Sequence, residues 1–141
     1  MKILITGCHG QLGTELQKQL ADEECALGPL PERLRKATVI AVDVDELDIT
    51  DREATVTYIR RTHPDTVINC AAFTNVDGCE TNRDAAYRVN ALAPRNLALA
   101  ADALGAKMVQ FSTDDVFAKA SHHPYNAVSY THLRAHETSL H

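Results

Sequence analysis

Apolar residues in this chain fall into short continuous runs, separated by segments in which they recur at helical spacing. Ile3-Leu4-Ile5 is apolar throughout and stops at Thr6-Gly7, the form of a buried parallel strand. From Gln11 to Leu20 the apolar positions are Leu12, Leu16 and Leu20, one face of a helix. Gly28, Pro29 and Pro31 mark a loop, and Val39-Ile40-Ala41-Val42, closed by Asp43, predicts a second buried strand. Thr50 or Asp51 can cap a helix running to about Thr62, with Val56 and Ile59 on its inner face. His63-Pro64-Asp65 breaks that helix, and Val67-Ile68-Asn69 predicts a third strand. Phe73 to Asn82 reads as polar loop. An Ala- and Leu-rich helix is expected from about Asp84 to Leu104, stopped by Gly105 and kinked or broken at Pro94. Met108-Val109-Gln110-Phe111 predicts a fourth strand, ending at Ser112-Thr113.

Strands alternating with helices at this spacing predict an α/β fold, a parallel sheet with helices on both faces. The 141 residues suffice for one domain with a real core and are too few for two. That domain is expected over residues 1–118. Residues 119–141 read as an irregular tail holding five of the seven histidines: His122, His123, His132, His136 and His141. A net charge of -5 argues against nucleic acid as a partner, which wants clustered Lys and Arg. No apolar run approaches the ~20 residues that span a bilayer, so no membrane partner is expected and a cytoplasmic location is the default. Cys8, Cys25, Cys70 and Cys79 show no C-x-x-C pair, which predicts reduced thiols rather than disulfides or a metal site.

The chemistry is concentrated directly after the first strand. Gly7-Cys8-His9-Gly10-Gln11-Leu12-Gly13 is a G-x-x-G-x-x-G opening a helix. Gly7 allows the tight turn, Gly10 lacks the side chain that would hold a pyrophosphate off the backbone, and Gly13 lets the helix pack close to the sheet. The helix start offers unpaired N–H groups and a partial positive charge to phosphates. Three such glycines alone are a weak signal; between an N-terminal apolar strand and an amphipathic helix they point to a dinucleotide. The fold expected is therefore a Rossmann-type doubly wound sheet, truncated at about four strands and without a C-terminal substrate domain. Asp43, at the end of the second strand, is placed to accept bonds from the adenosine ribose and to repel a 2′-phosphate. That favours NADH over NADPH, although loops can supply arginines and either cofactor is allowed.

Several further stretches carry a resemblance. Met1–Gly13, Asp48-Ile49-Thr50, Pro64 to Ala72, Thr74 to Glu80, Val89-Asn90, Pro94 to Ala98 and Ser112 to Phe117 follow in order along the chain. Together they resemble the dTDP-4-dehydrorhamnose reductase family of extended short-chain dehydrogenases, over residues 1 to about 125. The resemblance implies NAD(P)H-dependent reduction of the 4-keto group of a dTDP-linked deoxysugar, the last step in making dTDP-L-rhamnose. It implies that Asp48 and Ile49 lie near adenine, that Ala71, Ala72 and Thr74 line the cofactor trough, and that Asn90 stands beside it. Thr113 matches the family's catalytic hydroxyl. In the complete enzyme a dTDP-sugar is the expected substrate, and a homodimer is allowed.

The chain also departs from that pattern. Short-chain dehydrogenases use Tyr-x-x-x-Lys as proton donor and ribose holder. The pair is not found: Tyr130 to Arg134 has the spacing but arrives early, and arginine is bulkier and always charged. The family expects Tyr where Asp115 stands and Asp-Gly where Ala118-Lys119 follows. Ser129 to His141 changes character abruptly and reads as sequence out of context, joined to a truncated frame. Such domains hold their ligand outside the carboxyl ends of the strands, where the order reverses between the first and fourth. Only half of that crevice is expected here, with an open edge at the fourth strand that invites pairing. Two other readings stay open: a non-catalytic NAD(P)-binding regulatory subunit, and another nucleotide-sugar epimerase or reductase.

Overall fold

Strand β1 (Lys2–Thr6) is paired on both edges, which is why its apolar run has no polar face. In the computed structural model, which describes residues 1–113, β4 (Thr38–Val42) lies on one side of it and β5 (Thr66–Asn69) on the other. β6 (Lys107–Gln110) follows β5, so the order is β4-β1-β5-β6 with every pair parallel. Met1–Gln110 form one compact unit. Asp114–Phe117, the residue 119–141 segment with its histidines, and the Tyr130–Arg134 pair lie outside the described residues.

Side chains alternate across the sheet. Leu4 and Val67 face a core shared with Ile59 of α3 (Arg52–Thr62) and with Ala93, Leu97, Ala100 and Ala101 of α6 (Ala93–Asp102). Asp51 caps α3 by accepting the Ala54 N–H, one of the two caps expected. The residues that α3 buries completely are Thr55 and Ile59, while Val56 packs at the rim of the core.

Four expectations need correction. The second strand, β4, is an edge strand: Thr38 and Val39 are exposed and only Val42 is buried. The chain turns after it, where the Asp43 carbonyl accepts the Glu46 and Leu47 N–H groups. The order reverses at β1, with β5, the third long strand, taking the place expected for the fourth. The Gly28–Pro31 loop contains a minimal antiparallel ladder, β2 (Glu24–Cys25) with β3 (Gly28–Pro29), followed by the short helix α2 (Glu32–Arg35). The polar stretch after Phe73 is partly helical: α4 (Val76–Thr81) is capped by Asn75, whose side chain accepts the Gly78 N–H.

The long helix expected around Pro94 is three pieces. α5 (Arg83–Tyr87) widens into a π turn (Arg88–Leu92), and α6 begins at Ala93 with Pro94 in its first turn. Proline is tolerated there because the wider turn does not need its missing N–H. α1 (Gln11–Asp22) has the predicted apolar spacing, yet Leu12 is exposed and Leu16 and Leu20 are half-buried. The residue it buries is Gly13, which leaves no room for a Cβ against the preceding loop.

Candidate functional site

The carboxyl ends of β1, β4 and β5 open into a cleft of about 300 Å³. Gly7 and Gly10 line one wall, Asp43, Val44 and Leu47 to Thr50 another, and Cys70 to Phe73 a third, with Val89 also lining it. Its volume is at the lower end of the ~300–1,000 Å³ typical of small-molecule sites.

The glycines divide the structural task. Gly7 has a φ of +68°, and a Cβ there would stand 2.6 Å from the Ala71 nitrogen, so β1 turns hard against the end of β5. At Gly13 a Cβ would overlap the Gly7 carbonyl oxygen and come within 2.8 Å of the Cys8 Cα. Gly13 therefore seats the helix on the loop rather than on the sheet itself. Gly10 is different, since a Cβ there would meet only the Gly7 oxygen, at 3.4 Å. Its bareness keeps space open rather than relieving a clash.

Gly10 is also the N-cap of α1, and no side chain caps it. Helices α3, α4 and α5 are each capped by an Asp or Asn side chain. α1 has no acidic residue in its first turn either, so its orphan N–H groups and positive end are left for an outside anion. Gln17 and Thr14 pin the loop from the helix side, both donating to the Cys8 carbonyl (2.8 and 3.3 Å).

Asp43 faces this loop. Its Oδ2 accepts the His9 N–H at 2.9 Å, and its Oδ1 accepts the Val44 N–H at 2.9 Å. The His9 N–H holds the carboxyl below the ordinary range, helped by Val44 and the nearby imidazole and opposed by partial burial. The carboxylate is therefore ionised at neutral pH with lone pairs remaining. Burial, then the negative charges of Asp43 and Glu46, push the Cys8 thiol up; burial does the same for Cys70. Asp48 accepts the Thr50 N–H and hydroxyl through one oxygen, closing a local turn at the cleft wall.

Of the residues singled out from the sequence, Gly7, Gly10, Asp43, Asp48, Ile49, Ala71 and Ala72 line the cleft together. His9, Gln11, Leu12 and Thr74 are exposed and do not form its wall, and Gly13 is buried beneath it. Asn90 also stands off the wall: its amide clamps Phe73, accepting that N–H at 2.8 Å and donating to its carbonyl at 3.0 Å. Thr113 is exposed beyond the end of β6.

Two residues missed as site elements hold the wall in place. Asn96, buried on α6, donates to the carbonyls of Ile49 (3.1 Å) and Thr50 (3.3 Å). The Thr55 hydroxyl reaches the Ile49 and Asp51 carbonyls. A buried asparagine on an otherwise apolar helix face was the available signal, because such an amide must find partners. Asn69 plays a similar part at the strand ends, accepting from the Thr6 hydroxyl at 2.6 Å and the Ala71 N–H at 3.2 Å while donating to Gln110.

Comparison with known proteins agrees with this geometry. The chain is 42% identical over 116 residues to a dTDP-4-dehydrorhamnose reductase of Mycobacterium tuberculosis, covering 82% of this chain and 34% of that protein. A Streptomyces griseus dTDP-4-dehydrorhamnose reductase is 41% identical, with 86% and 36% covered. The chain thus spans about a third of the length of these relatives. Among solved structures, a dTDP-4-dehydrorhamnose reductase of Clostridium acetobutylicum superposes with a TM-score of 0.80 at 40% identity, over 99% of this chain and 48% of that one. A Bacillus anthracis dTDP-4-dehydrorhamnose reductase, solved in complex with NADP, gives 0.73 at 33% identity, over 99% and 50%. The family model described as the RmlD substrate binding domain matches residues 1–132, and the chain belongs to that family, the family of the dTDP-4-dehydrorhamnose reductases.

Proposed function

We propose that this chain binds NAD(P)H as the dinucleotide-binding part of a dTDP-4-dehydrorhamnose reductase. The complete enzyme would reduce the 4-keto group of dTDP-4-dehydro-L-rhamnose. The observation that carries the reading is the uncapped α1 terminus beside Gly10, opening into a cleft that also presents Asp43. The residues fit the group. Bare backbone at Gly10 admits a pyrophosphate, and the first-turn N–H groups of α1 would hold it. The Asp43 carboxylate would accept the ribose hydroxyls, and the Leu47–Thr50 wall would flank the adenine. When bound, the nicotinamide supplies the hydride. Thr113, by family match, would hold the substrate oxygen, and the proton donor is not assigned to a residue of this chain.

The ionised Asp43 favours NADH, because a 2′-phosphate would bring a second negative charge against it. The Bacillus anthracis relative holds NADP, so both dinucleotides belong in the test. Calorimetric titration of the chain with NADH and with NADPH should give saturable binding that Gly10→Val abolishes while its unfolding transition stays in place. Absence of binding to both, by a folded chain, would contradict the proposal.

A further inference from the structure

We infer that Cys8, His9 and Asp43 form a binding site for a borderline-soft divalent cation of the zinc type. The Cys8 Sγ, a His9 ring nitrogen and an Asp43 carboxylate oxygen all lie within 4.8 Å of one another. His9 Nδ1 and Asp43 Oδ2 are 3.7 Å apart. Ligands about 2.0–2.3 Å from a tetrahedral zinc stand near that separation, so the triad needs only small side-chain adjustments to close on an ion.

The ligands differ in exposure. Cys8 is buried and its backbone is tied to β4, its N–H donating to the Val42 carbonyl at 3.2 Å. Asp43 is fixed by the His9 and Val44 N–H groups, while the His9 side chain is exposed beside the Asp43 carboxylate. One ligand is therefore deep, one is held at the strand end, and one is exposed. A thiol, an imidazole and a carboxylate select zinc-type ions over magnesium or calcium, which prefer oxygen alone. Glu46, whose carboxylate accepts the Asp43 N–H at 3.0 Å, adds negative charge beside the triad. Three protein ligands leave a fourth position for water. Binding deprotonates the Cys8 thiol, and the proton leaves to solvent.

The inference shares Asp43 with the dinucleotide reading but does not rest on it, and its test needs no cofactor. The full chain, kept reduced with a non-chelating phosphine, is titrated with Co²⁺ as a spectroscopic stand-in for zinc. The histidines beyond residue 119 can bind cobalt through imidazole alone, so the decisive signal is the thiolate-to-cobalt charge-transfer band. The expected result is a band saturating at one equivalent, absent in Cys8→Ala and retained in Cys70→Ala. His9→Ala, an exposed position safe for folding, should weaken its formation at least about tenfold, since even supporting residues around a metal typically contribute that much. Circular dichroism confirms that each variant is folded. A titration without the band, or a band that survives in folded Cys8→Ala, would overturn the inference.

Discussion

The side-chain amide of Asn96 donates to the backbone carbonyl of Ile49 at 3.1 Å, linking α6 to the cleft wall across 47 residues of sequence. Both groups are buried, so their bond replaces water that cannot enter. Removing the amide leaves the Ile49 and Thr50 carbonyls short of a donor, at a cost of about 1–3 kcal/mol. Asn96→Ala should therefore lower the urea midpoint and speed amide exchange over residues 47–51. Unchanged exchange there would show that Thr55 alone holds the loop.

Gly13 and Gly10 should respond oppositely to the same substitution. A methyl group at Gly13 has no space beside the Gly7 carbonyl, so Gly13→Ala should cost at least about 3 kcal/mol, the upper end for overpacking. Gly10→Ala makes one ordinary contact, with the Gly7 oxygen at 3.4 Å, and should fold with nearly unchanged stability while weakening dinucleotide binding. Denaturant titration of the two variants separates these roles. Equal destabilisation would contradict them.

Asp43 carries a pH signature. Its carboxyl is held below the ordinary range in the folded chain by the His9 N–H, so its contribution is full above the unfolded value of about 3.9. It is lost as pH falls through the lower folded value. The stability gap between the natural chain and Asp43→Asn should be present above about pH 4 and should narrow as pH falls below it. Urea midpoints measured across that range check it, and a gap that ignores pH would not fit.

The same carboxylate should discriminate between cofactors. Asp43→Asn removes the charge that opposes a 2′-phosphate, so the ratio of NADPH to NADH affinity should rise. Parallel titrations of the two proteins give the ratio directly. No change would place the adenosine ribose away from Asp43.

What was legible in the sequence is what neighbours in sequence decide. Ile3-Leu4-Ile5 followed by Gly7 and Gly10 carries the strand, turn and helix start within a dozen residues, and each forms as expected. Asp51 announces α3 by its own side chain. The errors lie where distant partners decide. Val39 looks buried by composition, but its strand sits at an edge, which only the sheet order reveals. α4 was hidden because Val76–Thr81 contains Gly78 and little apolar periodicity, although Asn75 supplies a cap. The Asn96 tether and the meeting of Cys8, His9 and Asp43 join residues more than thirty positions apart, beyond the reach of local pattern.

The central claim, that the α1 terminus and the cleft beside it hold a dinucleotide, is tested most directly by amide chemical-shift mapping of the labelled chain during NADH titration. The account predicts saturable shifts at Gly7–Gly13, Asp43–Thr50 and Cys70–Phe73, with α3 and the β2–β3 ladder undisturbed. Shifts that avoid the glycine loop, or none at saturating NADH and NADPH in a folded chain, would contradict it.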